Sequence, residues 1–127
     1  MCLSKLIEYK GKRPKYGYKR MHKIEEGIYA NIYQVLRRRF EIGKVYNAAL
    51  KRIGNYDLEG NGFSYTSGFH IFTNKKEFLR KYRYENYYKL VKVRIPDDAR
   101  IIVYGMQWNC KIVVASKMEI VGEIERK

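Results

Sequence analysis

Apolar residues at Ile24, Ile28, Ile32, Val35, Leu36 and Phe40 recur at the spacing of one helical face. They predict a helix of about four turns across residues 24–40. Glu25 and Glu26 at its start and Arg37, Arg38 and Arg39 at its end suit the helix dipole. Gly43 would close it, while Gly27 inside it costs about 1 kcal/mol relative to alanine. Residues 41–49 fit either a strand or a second short helix. Residues 54–68 hold Gly54, Gly60, Gly62 and Gly68 among Asn and Asp, and read as a long loop of the kind that forms lids or binding loops. Across 69–72, Phe69 and Ile71 alternate with His70 and Phe72 as in a short strand. Asn74 and Glu77 then supply the Asn-x-x-Glu of a capping box, opening a short helix that buries Phe78, Leu79 and Tyr82.

In the C-terminal third, Val91, Val93 and Ile95 alternate with Lys92 and Arg94, and Pro96-Asp97-Asp98 supplies a turn that predicts a hairpin. Strands over 101–104, over 112–115 and along Met118, Ile120, Gly122 and Ile124 follow, separated by 105–109 and by Ser116-Lys117. Together these runs predict an antiparallel meander. With the two helices upstream, the expected fold class is α+β, a single domain over 1–127 in which a curved C-terminal sheet carries one or two helices on one face. A basic arm at about residues 8–20, broken by Gly11, Pro14 and Gly17 and ending in a short strand, precedes it.

Charge adds a class of partner. The chain of 127 residues carries a net charge of +14, and between Lys10 and Lys23 there are seven cationic residues and no acid. Residues 1–52 hold 14 Lys or Arg against 4 acids, so most of the excess lies in that half. The basic stretches are interleaved with tyrosines: Tyr9, Tyr16 and Tyr18 in the first, and Tyr82, Tyr84, Tyr87 and Tyr88 among Lys81, Arg83 and Lys89 in the second. Cations neutralise phosphates and exposed rings stack on unpaired bases, so DNA or RNA is the expected partner. The expected contacts are Arg13, Lys15, Tyr16, Tyr18, Lys19 and Arg20 with Arg37, Arg38 and Arg39. An acidic protein would meet the same charge. Each tyrosine has a second reading as a half-buried packing residue, and the arginine triplet one as helix-capping charge.

No motif identifies a reaction. His70 follows a glycine-rich stretch beside Thr66, Ser67 and Thr73, where it could hold a ribose hydroxyl or act as an acid or base. It could equally be structural, its ring bonded to a backbone carbonyl. Glu119, Glu123 and Glu125 alternate on one strand and read as solubilising edge charges. Cys2 and Cys110 have neither metal-ligand spacing nor a disulfide framework; with Met1 removed, Cys2 would be an N-terminal nucleophile. Neither a cofactor nor a metal is expected from these residues. No apolar run approaches the roughly 20 residues that span a bilayer, and the N-terminal residues form no secretory signal. A soluble cytoplasmic protein without membrane contact is expected.

The strings Gly17-Tyr18-Lys19, Phe40-Glu41-Ile42-Gly43-Lys44-Val45-Tyr46, Gly68-Phe69-His70-Ile71-Phe72, Val91-Lys92-Val93-Arg94-Ile95-Pro96 and Val113-Val114-Ala115-Ser116-Lys117-Met118-Glu119-Ile120 resemble a family of small uncharacterised phage and bacterial proteins. The resemblance implies a viral or mobile-element origin, and then the host cytoplasm. A fainter similarity is to ADP-ribosyltransferase-like folds. It implies NAD as ligand, with Arg20, the Thr66-Ser67 turn with His70, and Glu123 or Glu125 as the candidate catalytic groups. The sequence thus offers three functions: nucleic-acid binding first, a nucleotide pocket around His70 second, and an interaction protein that binds an acidic host factor third.

Overall fold

In the computed structural model, which describes residues 3–9, 11–31, 38–57 and 59–126, residues 22–30 form a β-ribbon that turns at Gly27. Strand β1 covers Lys5–Ile7, β2 Tyr16–Glu25 and β3 Ile28–Ala30. The expected helix over 24–40 is therefore corrected: residues 24–30 are strand and turn, and Arg39–Glu41 is strand β4. Residues 32–37 of that helix lie outside the described residues. Gly27 has φ 77°, a left-handed conformation that glycine adopts freely and that places the turn of a hairpin here. Lys23 then faces Tyr29 across the ribbon. The helical spacing does not mark the residues that reach the core, since Tyr29 and Ala30, outside it, are buried with Phe40 while Ile24 is exposed.

The glycine-rich stretch is also ordered, correcting the loop expected over 54–68. After β5 (Val45–Asn47), β6 (Arg52–Tyr56) and β7 (Gly62–Thr66) pair as a separate hairpin. Its turn is held by Asp57, whose Oδ1 accepts from the amides of Glu59 and Asn61, both at 2.9 Å. Ile53, Phe63 and Tyr65 point inward from it, an alternation obscured by the glycines between them. Strand β8 (Phe69–Phe72) and helix α1 (Lys75–Tyr82) are placed as the pattern predicts, with Phe78, Leu79 and Tyr82 buried. Asn74 caps α1 by accepting from the Glu77 amide at 3.0 Å. The reciprocal half of the box is replaced by tertiary structure, since Glu77 Oε1 accepts from the Lys111 amide.

The remaining strands are β9 (Lys89–Arg94), β10 (Ile101–Gln107), β11 (Cys110–Ala115) and β12 (Lys117–Glu123). They do not form a meander. The large sheet runs β1-β10-β11-β8-β2-β9-β12-β5, antiparallel throughout, with β3 and β4 branching from β2. Of these four strands only β10 and β11 are both consecutive in sequence and neighbours; β9 pairs with β2 and β12, so no hairpin forms across Pro96-Asp97-Asp98. One residue, Ser116, joins β11 to β12, although β8, β2 and β9 lie between those strands in the sheet. A flat sheet would hold their ends four strand spacings apart, at about 4.8 Å each. The sheet must therefore curl until the end of β11 meets the start of β12. The fold is mostly β, not the α+β arrangement of a terminal meander with helices.

Curling creates two apolar layers, because successive strand residues point to opposite faces. Met21, Phe69, Ile71, Val91, Val93, Val113, Ala115, Met118 and Ile120 fill the interior with Tyr29 and Phe40. The outer face, with Phe72, Leu90, Ile112 and Val114, is covered by α1, the β6-β7 hairpin and Leu3. Phe72, Phe78 and Tyr82 make a ring cluster there with centroids 5.0 to 5.6 Å apart, the spacing of favourable aromatic pairs. Arg126 donates to the carbonyls of Tyr82, Glu85 and Tyr88, fixing the chain that leaves α1. No helix among the described residues is long and apolar enough to cross a membrane.

Closure depends on the absence of a side chain at Gly17, where an added Cβ would lie 2.2 Å from Ile71 Cγ2 and 2.7 Å from the Phe72 carbonyl. We expect Gly17→Ala to lower stability by about 1 to 3 kcal/mol, the cost of overpacking, measured by urea unfolding. Gly122→Ala, where nothing lies within 4 Å of the new methyl, should change stability by less than about 0.5 kcal/mol.

Candidate nucleic-acid interface

Of the first basic stretch, Arg13, Lys15 and Tyr16 are exposed. Arg13 Nη1 donates to Ala99 O at 2.8 Å and Nη2 to Pro96 O, tying the arm to the turn after β9. The Lys92 ammonium sits 4.4 Å from the Tyr16 ring centroid. The next residues turn inward. Tyr18 packs its ring on Phe78. Lys19 shares the interior face of β2 with Gly17 and Met21, and its Nζ donates to His70 O at 2.8 Å. That bond lies where β8 parts from β2, whose pairing is the single bridge Tyr18↔Phe72. Burial, with the neighbouring Arg20 charge, lowers the Lys19 pKa to about 8. Arg20 pairs with Glu85 at 2.8 Å and lies over the Tyr82 ring. Arg38 and Arg39 are exposed, Arg38 donating to Asn47 O; Arg37 lies outside the described residues.

The second basic stretch contributes more surface than its place in the sequence suggests. With Phe78, Leu79 and Tyr82 buried, α1 turns Lys75, Lys76, Arg80 and Lys81 to solvent. Lys75, Lys76, Arg80 and Arg83, with Leu79 and Tyr84, line a shallow groove of about 430 Å³. None of Lys75, Lys76, Arg80, Lys81 or Arg83 forms an ion pair among the described residues. Arg83 Nε is buried with no hydrogen-bond partner there. The acids instead serve other cations: Glu85 serves Arg20, Glu123 serves Lys23, Glu119 serves Arg94, and Asp98 serves Lys117. This face continues into the arm. Tyr18 pairs across β2 and β9 with Lys92 and stacks on Phe78, and the Lys92 ammonium lies over the Tyr16 ring, so Tyr16 and Lys92 share the outer face on which α1 packs. Lys75, Lys76, Arg80 and Lys92 were readable as the complement of the predicted buried faces, but no local motif marks them.

His70, on β8, turns its ring toward the covering hairpin. The Leu3 amide and Tyr65 Oη are 3.1 Å apart, as are Tyr65 Oη and His70 Nε2, while His70 Nδ1 faces Gly68 O at 3.2 Å. The chain is satisfied when the amide donates to Tyr65, Tyr65 to Nε2, and Nδ1–H to Gly68, which requires a neutral ring. Burial first, and the Lys19 charge second, lower its pKa to about 4. The other candidate catalytic groups have separate partners. Arg20 holds Glu85, Glu123 accepts from Tyr29 and Lys23, and Glu125 is exposed. Among the described residues no three His, Cys, Asp or Glu side chains gather as a metal site. Cys110 is buried and free, its thiol pKa raised by burial, which makes it less reactive. Cys2 lies outside the described residues. The sequence matches no family model, and no curated protein or solved structure is similar to it.

The unfolded chain takes up a proton at His70 near pH 6.5, whereas the folded protein resists it until about pH 4. Between these values the unfolded state binds more protons, so stability falls as pH falls. Urea unfolding from about pH 7 to about pH 4.5 should show a loss of about 2 kcal/mol that His70→Gln lacks.

Proposed function

We propose that the protein binds nucleic acid through the phosphate backbone, using the face that runs from Lys15, Tyr16 and Lys92 across the groove of α1. The observation that carries this reading is the groove of four cations with no ion pair among the described residues, while Glu85, Glu123, Glu119 and Asp98 lie beside other cations. An uncompensated row of cations on a folded surface raises its own electrostatic energy, and a polyanion relieves it by releasing condensed counterions. The basic arm contributes through its exposed members, Arg13, Lys15 and Tyr16. Arg38 and Arg39 add exposed charge, whereas Lys19 and Arg20 act within the fold. Backbone binding of this kind is largely indifferent to sequence.

The triple variant Lys75→Glu, Lys76→Glu and Arg80→Glu tests the surface without threatening the fold. All three residues are exposed; acids at 75 and 76, in the first turn, suit the helix dipole, and the acid at 80, in the last turn, opposes it by only about 0.3 to 1 kcal/mol. We expect its melting temperature to stay near that of the parent while its affinity for labelled oligonucleotides falls at least about tenfold at moderate salt. Equal affinity in the triple variant would remove α1 from the interface.

A further inference from the structure

Trp108 is the chain's one tryptophan, and it is 62% exposed at the tip of the β10-β11 hairpin. Its backbone has φ 53° and the following Asn109 φ 61°, the two left-handed central positions of a mirror-image turn that favours Asn, Asp and Gly. An aromatic residue in the first of them is unfavourable for the backbone. Packing does not compensate, because the ring stays largely in water. The turn itself is fastened to α1: Glu77 Oε1 accepts from the Lys111 amide at 3.2 Å, and the Cys110 thiol faces Glu77 O. Lys81 Nζ lies 5.1 Å from the Trp108 ring centroid. At about 100° per residue, Lys81 and Arg83 fall on opposite flanks of α1, so the ring stands beside the helix across from the groove. Beyond α1, Tyr84 and Tyr87 are 85% and 87% exposed.

We propose that Trp108 is a stacking platform for an unpaired base, which makes single-stranded nucleic acid the preferred ligand of this surface. This rests on the phosphate-binding reading of α1. A strand crossing the helix would place phosphates on Lys76 and Arg80 and a base face on Trp108. Duplex bases have their faces covered by their neighbours and cannot use the ring in this way. Rigid attachment of the turn keeps the ring presented before binding, which lowers the ordering cost on association.

Because Trp108 is the sole tryptophan, its emission reports on this site alone. Titrations with oligo-dT, oligo-U and a duplex of equal length would follow Trp emission together with the anisotropy of a label on the nucleic acid. We expect both single strands to shift or quench Trp108 emission and to bind more tightly than the duplex. Trp108→Asn relieves the left-handed backbone and should melt no lower than the parent. It should lose on the order of tenfold in single-strand affinity with duplex affinity unchanged, and Trp108→Phe should recover most of the loss. Single-strand binding seen by anisotropy with unchanged emission, and unchanged in Trp108→Asn, would overturn stacking and leave phosphate binding intact. No binding to any of the three would overturn both.

Discussion

The single residue between β11 and β12 is the constraint from which the architecture follows. Ser116 must connect strands that the hydrogen-bond order separates by three others, so the sheet has to curl on itself. In the curled sheet β2 approaches β8 closely, and Gly17 against Ile71 is that approach. The pairing of those two strands ends at one bridge, and the Lys19 ammonium bonds the His70 carbonyl beside it. A cation buried for this purpose is costly, as its lowered pKa records. Curling separates an interior apolar face from an outer one, and the outer face needs its own cover. Helix α1 and the β6-β7 hairpin supply it.

The location of the candidate interface is a consequence of that cover. A helix of eight residues that buries Phe78, Leu79 and Tyr82 has few remaining positions, and here nearly all of them are Lys or Arg. The acids of neighbouring strands point to other cations, so the helix surface keeps its charge. Arg126 anchors the segment after α1, and Glu77 anchors the β10-β11 turn to its start. Charge and exposed rings are thereby held on a fixed scaffold. His70, by contrast, closes a hydrogen-bond chain from Leu3 through Tyr65 to Gly68, which ties the covering hairpin to the sheet.

Legibility in the sequence followed the range of the interactions. Strand β8, the Asn74 cap, the buried face of α1 and the C-terminal strands were readable, because each depends on local alternation or capping chemistry. Which strands pair was not, since the single-residue step at Ser116 looks like an ordinary turn until the neighbours of β9 are known. Residues 24–40 failed for a different reason. Ile24, Ile28 and Phe40 satisfy helical spacing, but Gly27 at positive φ and the pairing of Lys23 with Tyr29 override it. In the β6-β7 hairpin, glycines disguised the alternation of Phe63 and Tyr65. The site divided along the same line. Net charge indicated a polyanion, yet it could not tell that Lys19 and Arg20 turn into the fold while Lys76 and Arg80 face outward. Trp108 carried no signal by itself; its weight comes from a backbone conformation that only the turn reveals.

The claim that the outer face is a phosphate-binding surface is tested most directly by the salt dependence of binding. After nuclease treatment to remove carried-over nucleic acid, the affinity for a single-stranded oligonucleotide would be measured across a salt series. With Lys75, Lys76, Arg80, Arg83 and Lys92 engaged, log K should fall linearly with log salt with a slope of about −3 to −4, at about 0.7 per phosphate contact. A slope near zero, or no binding at low salt, would contradict the account.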